Sequence, residues 1–249
     1  MLTLYDTGPS KFPSHLGCSP HVRKIIFALN YKKLPFKLIS IPFGSIESTA
    51  KSIGAAPTET SPFHISGPPR YCVPFLHDTN NDKNNVVSDS ITIAEYLDAT
   101  YPETPRLFAK EDTAGVKELI SAREKAIRIL MFPVFMRKIG RLYSDEQKGV
   151  FASRGMSLDT IAPISHEEEE GLWVQGKASF EEVEESLGDR SNNAISVFAD
   201  LALAALAWHI RCGCGEGSKE WQELASWADE KIGNVATEAV QYDSQILLA

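Results

Sequence analysis

Ser88-Asp89-Ser90-Ile91-Thr92-Ile93-Ala94-Glu95-Tyr96-Leu97-Asp98 is the stretch from which the fold is read. Ile91, Ala94, Leu97 and Tyr101 fall on one side of a helical wheel, so the spacing predicts a helix over 89–101. Pro102 and Pro105 close it. A carboxylate and a hydroxyl, Asp89 and Ser90, open it directly after the short apolar pair Val86-Val87. Two readings fit such a pair. It caps the free N–H groups of the helix. Alternatively it holds both charged ends of an amino acid. Asp89 would then face the ammonium, and the Ser90 side chain and the helix N–H groups would face the carboxylate.

Upstream, Cys72-Val73-Pro74-Phe75-Leu76 reads as a strand opened by a proline, and Asn80–Asn85 as a polar turn, making 72–87 a hairpin. At the start of the chain, 2–5 alternates like a strand. A loop with Gly8, Pro9, Pro13 and Gly17 leads to Ser19-Pro20, where Ser suits an N-cap and Pro the first helical position. Val22, Ile25, Ile26 and Leu29 give the helix one apolar face, and 36–41 alternates again. Strand, helix and strand within this span form a βαβ unit, which implies parallel strands and a right-handed crossover. A short helix is expected over 45–53 and a loop from Gly54 to Arg70.

Downstream of the Pro102–Pro105 boundary every segment reads as helix: 111–143 with an interruption at Pro133, a weaker 145–156, the acidic 165–187, the nearly all-apolar 196–211 and an amphipathic 218–232. The expectation is an α/β domain over 1–104 followed by an all-α domain over 105–249.

The bulk properties narrow the function. The 249 residues carry a net charge of −8, which opposes nucleic-acid binding, because that requires a basic face. Hydrophobic residues make up 43%, enough to build cores. No run of about 18 apolar residues marks a membrane span. Met1–Asp6 lacks the pattern of an export signal, so the four cysteines, Cys18, Cys72, Cys212 and Cys214, are expected as reduced thiols in the cytoplasm.

Cys18-Ser19-Pro20 sets a thiol and a hydroxyl at a helix N-terminus, where free N–H groups and the helix dipole favour an anion. Ser19 reads either as a plain cap or as a donor to a bound thiolate. Val73-Pro74 reads either as an ordinary trans bond or as a cis-proline that exposes the Val73 backbone as an edge for an extended peptide.

The order of these motifs closely resembles the cytosolic glutathione transferases, in Ser19-Pro20, Val73-Pro74-Phe75-Leu76 and Asp89-Ser90 followed by Ile93-Ala94-Glu95-Tyr96-Leu97-Asp98. The resemblance spans the chain. Phe198-Ala199-Asp200 also resembles the family's buried helix, in which the Asp supports a local cap. Here Val197 stands where the capping hydroxyl would be, with Ser196 one residue earlier. Leu29–Phe36, Lys51–Pro57 and Tyr96–Pro105 look similar to fungal transferases related to bacterial β-aryl etherases.

The resemblance implies a thioredoxin-like N-terminal domain, a helical C-terminal domain, glutathione as co-substrate, no metal, and a homodimer. Ser19 is the expected catalytic residue. The family's Cys-type motif places Cys directly before the Pro, where this chain has Ser19. Val73, Asp89 and Ser90 are the expected glutathione-binding residues, with His64 or Arg70 for the glycine carboxylate. The implied partner is a hydrophobic or aromatic electrophile bound between the domains beside the 111–143 helices. The implied activity is conjugation in detoxification, with wood-derived aromatics as the implied substrates. The alternatives are glutathione-dependent aryl-ether cleavage and non-catalytic sequestration of aromatic metabolites.

Cys212 and Cys214 lack the further ligands that a metal site needs. His209 reads as a core residue. Met131, Phe132 and Phe135 read as core packing before pocket lining.

Overall fold

The computed structural model describes residues 1–13, 17–58, 70–80, 84–109, 113–153, 156–187 and 197–243. The chain forms two compact units: Met1–Ser10, Ser14–Leu107 and Gln241–Ala249 in the first, Lys11–Pro13 and Phe108–Val240 in the second.

The first unit is built on a four-stranded sheet of β1 (Leu2–Thr7), β2 (Phe36–Ile41), β3 (Phe75–Asp78) and β4 (Asn85–Ser88), in the order β2-β1-β3-β4. β1 and β2 run parallel through the crossover helix α1 (Pro20–Tyr31), and β3 pairs antiparallel with both β1 and β4. This is a thioredoxin-like arrangement. β1 is buried along its whole length, as a central strand covered on both faces must be. Tyr5, Ile41, Ala55 and Phe75 join Ile46 and Ala50 of α2 (Ile46–Ile53) in one core cluster. α2 stops at Gly54, whose φ of 80° suits a residue without a Cβ. α3 (Ser90–Thr100) packs with α1.

α1 starts and stops as its residues dictate. Ser19 caps it, Pro20 takes the first position, and Lys33 turns left-handed at φ 57° just past the end. The hairpin differs from expectation at its start, because β3 begins at Phe75 rather than Cys72. Pro74 has no N–H to give to a ladder, so pairing starts after it. The Val73-Pro74 bond is cis, and so is Gly8-Pro9.

The second unit is helical: α4 (Thr113–Leu130), α5 (Met136–Ile139), α6 (Asp145–Ser153), α7 (His166–Leu187), α8 (Val197–Cys214), α9 (Lys219–Ala225) and α10 (Trp227–Glu238). The expected helix 111–143 is broken where Pro133 lies. A π-helical turn, Met131–Phe135, accommodates the missing N–H and hands over to α5.

The expected single helix 218–232 is two. Ser226 caps the C-terminus of α9, its Oγ donating to the Glu223 carbonyl at 2.8 Å, and the backbone leaves the helical conformation at Ala228, Asp229 and Glu230, which turn left-handed at φ 48°, 52° and 64°. α8 is 18 residues long with a mean hydropathy of 1.4. Its residues from Phe198 to Ile210, apart from Asp200, are buried in the helical unit, and it packs against α4 and α10 as a core helix.

Candidate functional site

The register of the sheet brings three loops to one edge. Tyr5 of β1 lies opposite Phe75 of β3, and Phe75 lies opposite Ser88 of β4. The start of β3 therefore sits between the ends of β1 and β4, and about 10 Å separates the outer two at normal strand spacing. Val73 precedes β3, Asp89-Ser90 follows β4, and the loop after β1 leads to Ser19. A right-handed crossover returns α1 antiparallel to β1, so its N-terminus rises from this same edge.

Ser19 is half-buried. Its Oγ accepts the Val22 N–H at 3.3 Å, and its carbonyl accepts the Arg23 N–H at 3.0 Å. A hydroxyl that accepts at the cap still has its proton to donate outward. Cys18 beside it is only 2% exposed. Among the described residues, no backbone group pairs with Val73, and its side chain packs on the core cluster.

Asp89 performs the capping role and keeps an oxygen in reserve. Its Oδ1 accepts the N–H groups of Ile91 at 2.9 Å and Thr92 at 3.1 Å. Its backbone lies at φ 75°, a conformation that side chains rarely adopt and that clusters at binding sites. Ser90 is buried at the first helical position. Arg70 is half-buried, and its carbonyl accepts the Thr58 N–H at 2.8 Å. His64 and Ser196 lie outside the described residues.

Three residues that sequence reasoning did not single out sit beneath Ser19. Asp6, on β1, is 1% exposed; its Oδ1 accepts the Thr7 N–H at 2.7 Å. Its Oδ2 has no hydrogen-bond partner among the described residues. It lies against Gly17, so closely that a Cβ there would come within 1.8 Å of it. Gly17 also has φ +83°, so only glycine fits this close approach. Burial raises the Asp6 carboxyl from 3.8 to about 7, against the opposing pull of the Thr7 N–H and the Arg23 charge.

Arg23, one turn into α1, is buried. It donates to the Gly17 carbonyl at 3.3 Å and pairs with Asp243. The sequence signal was a charged residue in an otherwise uncharged strand and a cation inside a buried helix.

In the helical unit, Phe135 is buried and meets Trp173 edge-on at 5.6 Å, which commits it to the core. Met131 and Phe132 are half-buried. His209 is buried and stacks on Phe12 at 5.1 Å, as a core residue would. Asp200 accepts from Arg123 Nη1 at 2.9 Å and pairs with Lys231 at 3.1 Å, so its described bonds are tertiary rather than a local cap. Burial and the nearby Glu220 push the Cys214 thiol up to about 12, which leaves it protonated and inert at neutral pH. Among the described residues, no three His, Cys, Asp or Glu side chains gather in a metal-binding group.

Residues 14–105 match the family model for the glutathione S-transferase N-terminal domain, and residues 122–242 match that for its C-terminal domain. The chain belongs to the glutathione transferase family. The transferase is similar to the solved glutathione S-transferase CsGST63524 of Ceriporiopsis subvermispora, itself in complex with glutathione, with 26% identity, a TM-score of 0.82 and 98% of each chain covered. It is similar also to glutathione transferase GSTFuA3 from Phanerochaete chrysosporium, with 27% identity, a TM-score of 0.80, and 97% of this chain and 96% of the other covered. CsGST83044 of Ceriporiopsis subvermispora, 24% identical with a TM-score of 0.78 and 96% and 98% coverage, shares the fold. No curated protein matches the transferase. These neighbours fit the resemblance to a fungal branch.

Proposed function

We propose that this transferase activates the thiol of glutathione for attack on hydrophobic or aromatic electrophiles, with Ser19 as the catalytic residue. Glutathione is placed extended along the edge before β3, its backbone paired with Val73 and its γ-glutamyl end held by Asp89 and Ser90. Residues 1–104 supply this site. Residues 105–249 supply the electrophile pocket, to which the half-buried Met131 and Phe132 offer apolar surface. Solved relatives in complex with glutathione support the co-substrate. Family membership supports a cytoplasmic homodimer acting in detoxification, and the fungal neighbours support the etherase-related branch.

The chemistry follows from the helix end. The glutathione S–H loses its proton to water, and the thiolate is held by the Ser19 O–H and the positive end of α1. The sulfur lone pair then forms the C–S bond as the leaving group departs with its electron pair.

The observation that supports the reading is the sheet register, in which the segments leading to Ser19, Val73 and Asp89-Ser90 leave the sheet on the same side. The experiment is calorimetric titration with glutathione, followed by turnover of an aryl halide by the wild type and by Ser19→Ala. Binding is expected in both, with conjugation reduced about 100-fold in the variant, the cost of one lost anion-stabilising donor. Full activity in Ser19→Ala would remove the assigned role. Absence of binding in the wild type would reduce the three motifs to capping and fold. Binding without turnover would leave sequestration or ether cleavage.

A further inference from the structure

The chemistry at Ser19 leaves one buried acid unused. Asp6 lies beneath the loop that delivers Ser19, with its Oδ2 against Gly17 and no hydrogen-bond partner among the described residues. A buried carboxyl without a partner is costly when charged. A structural role alone would be served by an asparagine, whose oxygen can still accept the Thr7 N–H. We propose that Asp6 is a positioning residue for glutathione activation: its carboxyl, packed on Gly17 and facing Arg23, seats the loop that presents Ser19 and sets the charge felt at the N-terminal end of α1. The proposal rests on the function proposed above.

Among the described residues, the groups around Asp6 are few. From α1, Arg23 supplies the cation whose charge reaches it, and Lys24, next along the helix, is also buried. From the C-terminal segment, Asp243 pairs with that same Arg23 and offsets its charge. From β2, the residue in register is Ser40, which is uncharged. From the loop come Gly17 and Cys18, while His15 lies outside the described residues.

A neutral Asp6 leaves the helix end free to stabilise a thiolate. An ionised Asp6 places a like charge below it and disfavours the thiolate. The carboxyl changes state near pH 7. The thiol of bound glutathione and Asp6 therefore titrate as a coupled pair, in two steps rather than one.

The test follows the ultraviolet absorbance of the thiolate against pH in the glutathione complex of the wild type, Asp6→Asn, Asp243→Asn and His15→Gln. The wild type is expected to titrate in two steps. Asp6→Asn is expected to give a single step, with the thiol shifted down by about one unit or more, the interaction that two resolved steps require. Asp243→Asn, which changes a partly exposed residue and tests the idea even if Asp6→Asn fails to fold, moves the Asp6 step to lower pH, because an uncompensated Arg23 favours the carboxylate. His15→Gln keeps both steps. A single step in the wild type, a wild-type curve in Asp6→Asn, an unmoved step in Asp243→Asn, or loss of a step in His15→Gln overturns the assignment while leaving the proposed function standing. Failure of the wild type to bind glutathione removes both.

Discussion

Lys32 and Asp98 form an ion pair that water barely reaches: Lys32 Nζ donates to Asp98 Oδ1 at 2.7 Å, with side chains 0% and 6% exposed. The same carboxylate receives the Leu107 N–H at 3.0 and 2.9 Å, and the same ammonium donates to the Pro105 carbonyl at 3.1 Å. The pair thus fastens the end of α1 to α3 and to the strand of chain that leaves it. Asp98→Asn keeps the shape and removes the countercharge, stranding a buried ammonium. A loss of about 3–5 kcal/mol is expected in urea unfolding. The double variant Lys32→Met with Asp98→Leu is expected to recover most of it. A loss below about 1 kcal/mol, the value of an exposed pair, would mean that water reaches Lys32.

Arg123 plays the matching part in the helical unit. The residue is 1% exposed, and its guanidinium donates to both oxygens of Glu184, at 2.6 and 2.9 Å, and to Asp200 at 2.9 Å. Arg123→Met leaves Glu184 and Asp200 without the guanidinium, but both retain some access to water and Asp200 keeps Lys231 at 3.1 Å, so a loss of about 2–3 kcal/mol is expected rather than the full cost of a stranded buried charge. A double-mutant cycle with Glu184→Gln is expected to show coupling of about 1–3 kcal/mol. Additive effects would place the stability of α4 and α7 in apolar packing instead.

Asp89 separates capping from recognition. Asp89→Asn retains an oxygen to accept from Ile91 and Thr92 but loses the charge. Stability is expected to fall by no more than a few tenths of a kcal/mol, while glutathione binding weakens about 10- to 100-fold, the loss of one charge-assisted hydrogen bond. Asp89→Ala is expected to lose about 1 kcal/mol of stability as well. Calorimetry and thermal unfolding on the same samples read the two effects apart. Unchanged affinity in Asp89→Asn would leave the residue only as a cap.

Asp6 gives stability a pH dependence of definite sign. Its carboxyl is raised by burial from 3.8 to about 7 in the folded chain. Between those values the unfolded chain has lost the proton and the folded chain retains it, so stability falls as pH rises through this window and levels off above it. A shift of about 3 units sets a ceiling of about 4 kcal/mol. Asp6→Asn is expected to flatten this slope and so to be more stable than the wild type above pH 7. Parallel curves for the two proteins in urea unfolding at several pH values would mean that the carboxyl is not shifted.

Local elements were legible because their causes are local. Ser19-Pro20 with apolar residues at 22, 25, 26 and 29 gives α1, and α7 at 166–187 falls within a residue of its expected bounds. Capping and one-face periodicity act over four residues and are visible in any window of that size. Where a break lies in the backbone conformation, the pattern misleads: the apolar spacing of 218–232 continues past Ser226, while the backbone turns left-handed at Ala228, Asp229 and Glu230. The π-helical turn at Met131–Phe135 was foreshadowed only as an interruption at Pro133.

By itself, the sequence determined the order of strands and helices, the helix-opening positions of Ser19 and Asp89, and the kinship those motifs carry, because each is set by residues adjacent in the chain. Only the tertiary structure decided that Asp6 lies under Gly17, that Arg23 answers to Asp243 far along the chain, that Lys32 finds Asp98 and that Asp200 serves Arg123 and Lys231. The physical reason is the same for all four. A charge becomes consequential when burial removes its water, and which charge then answers it depends on which elements pack together, not on the spacing of residues along the chain.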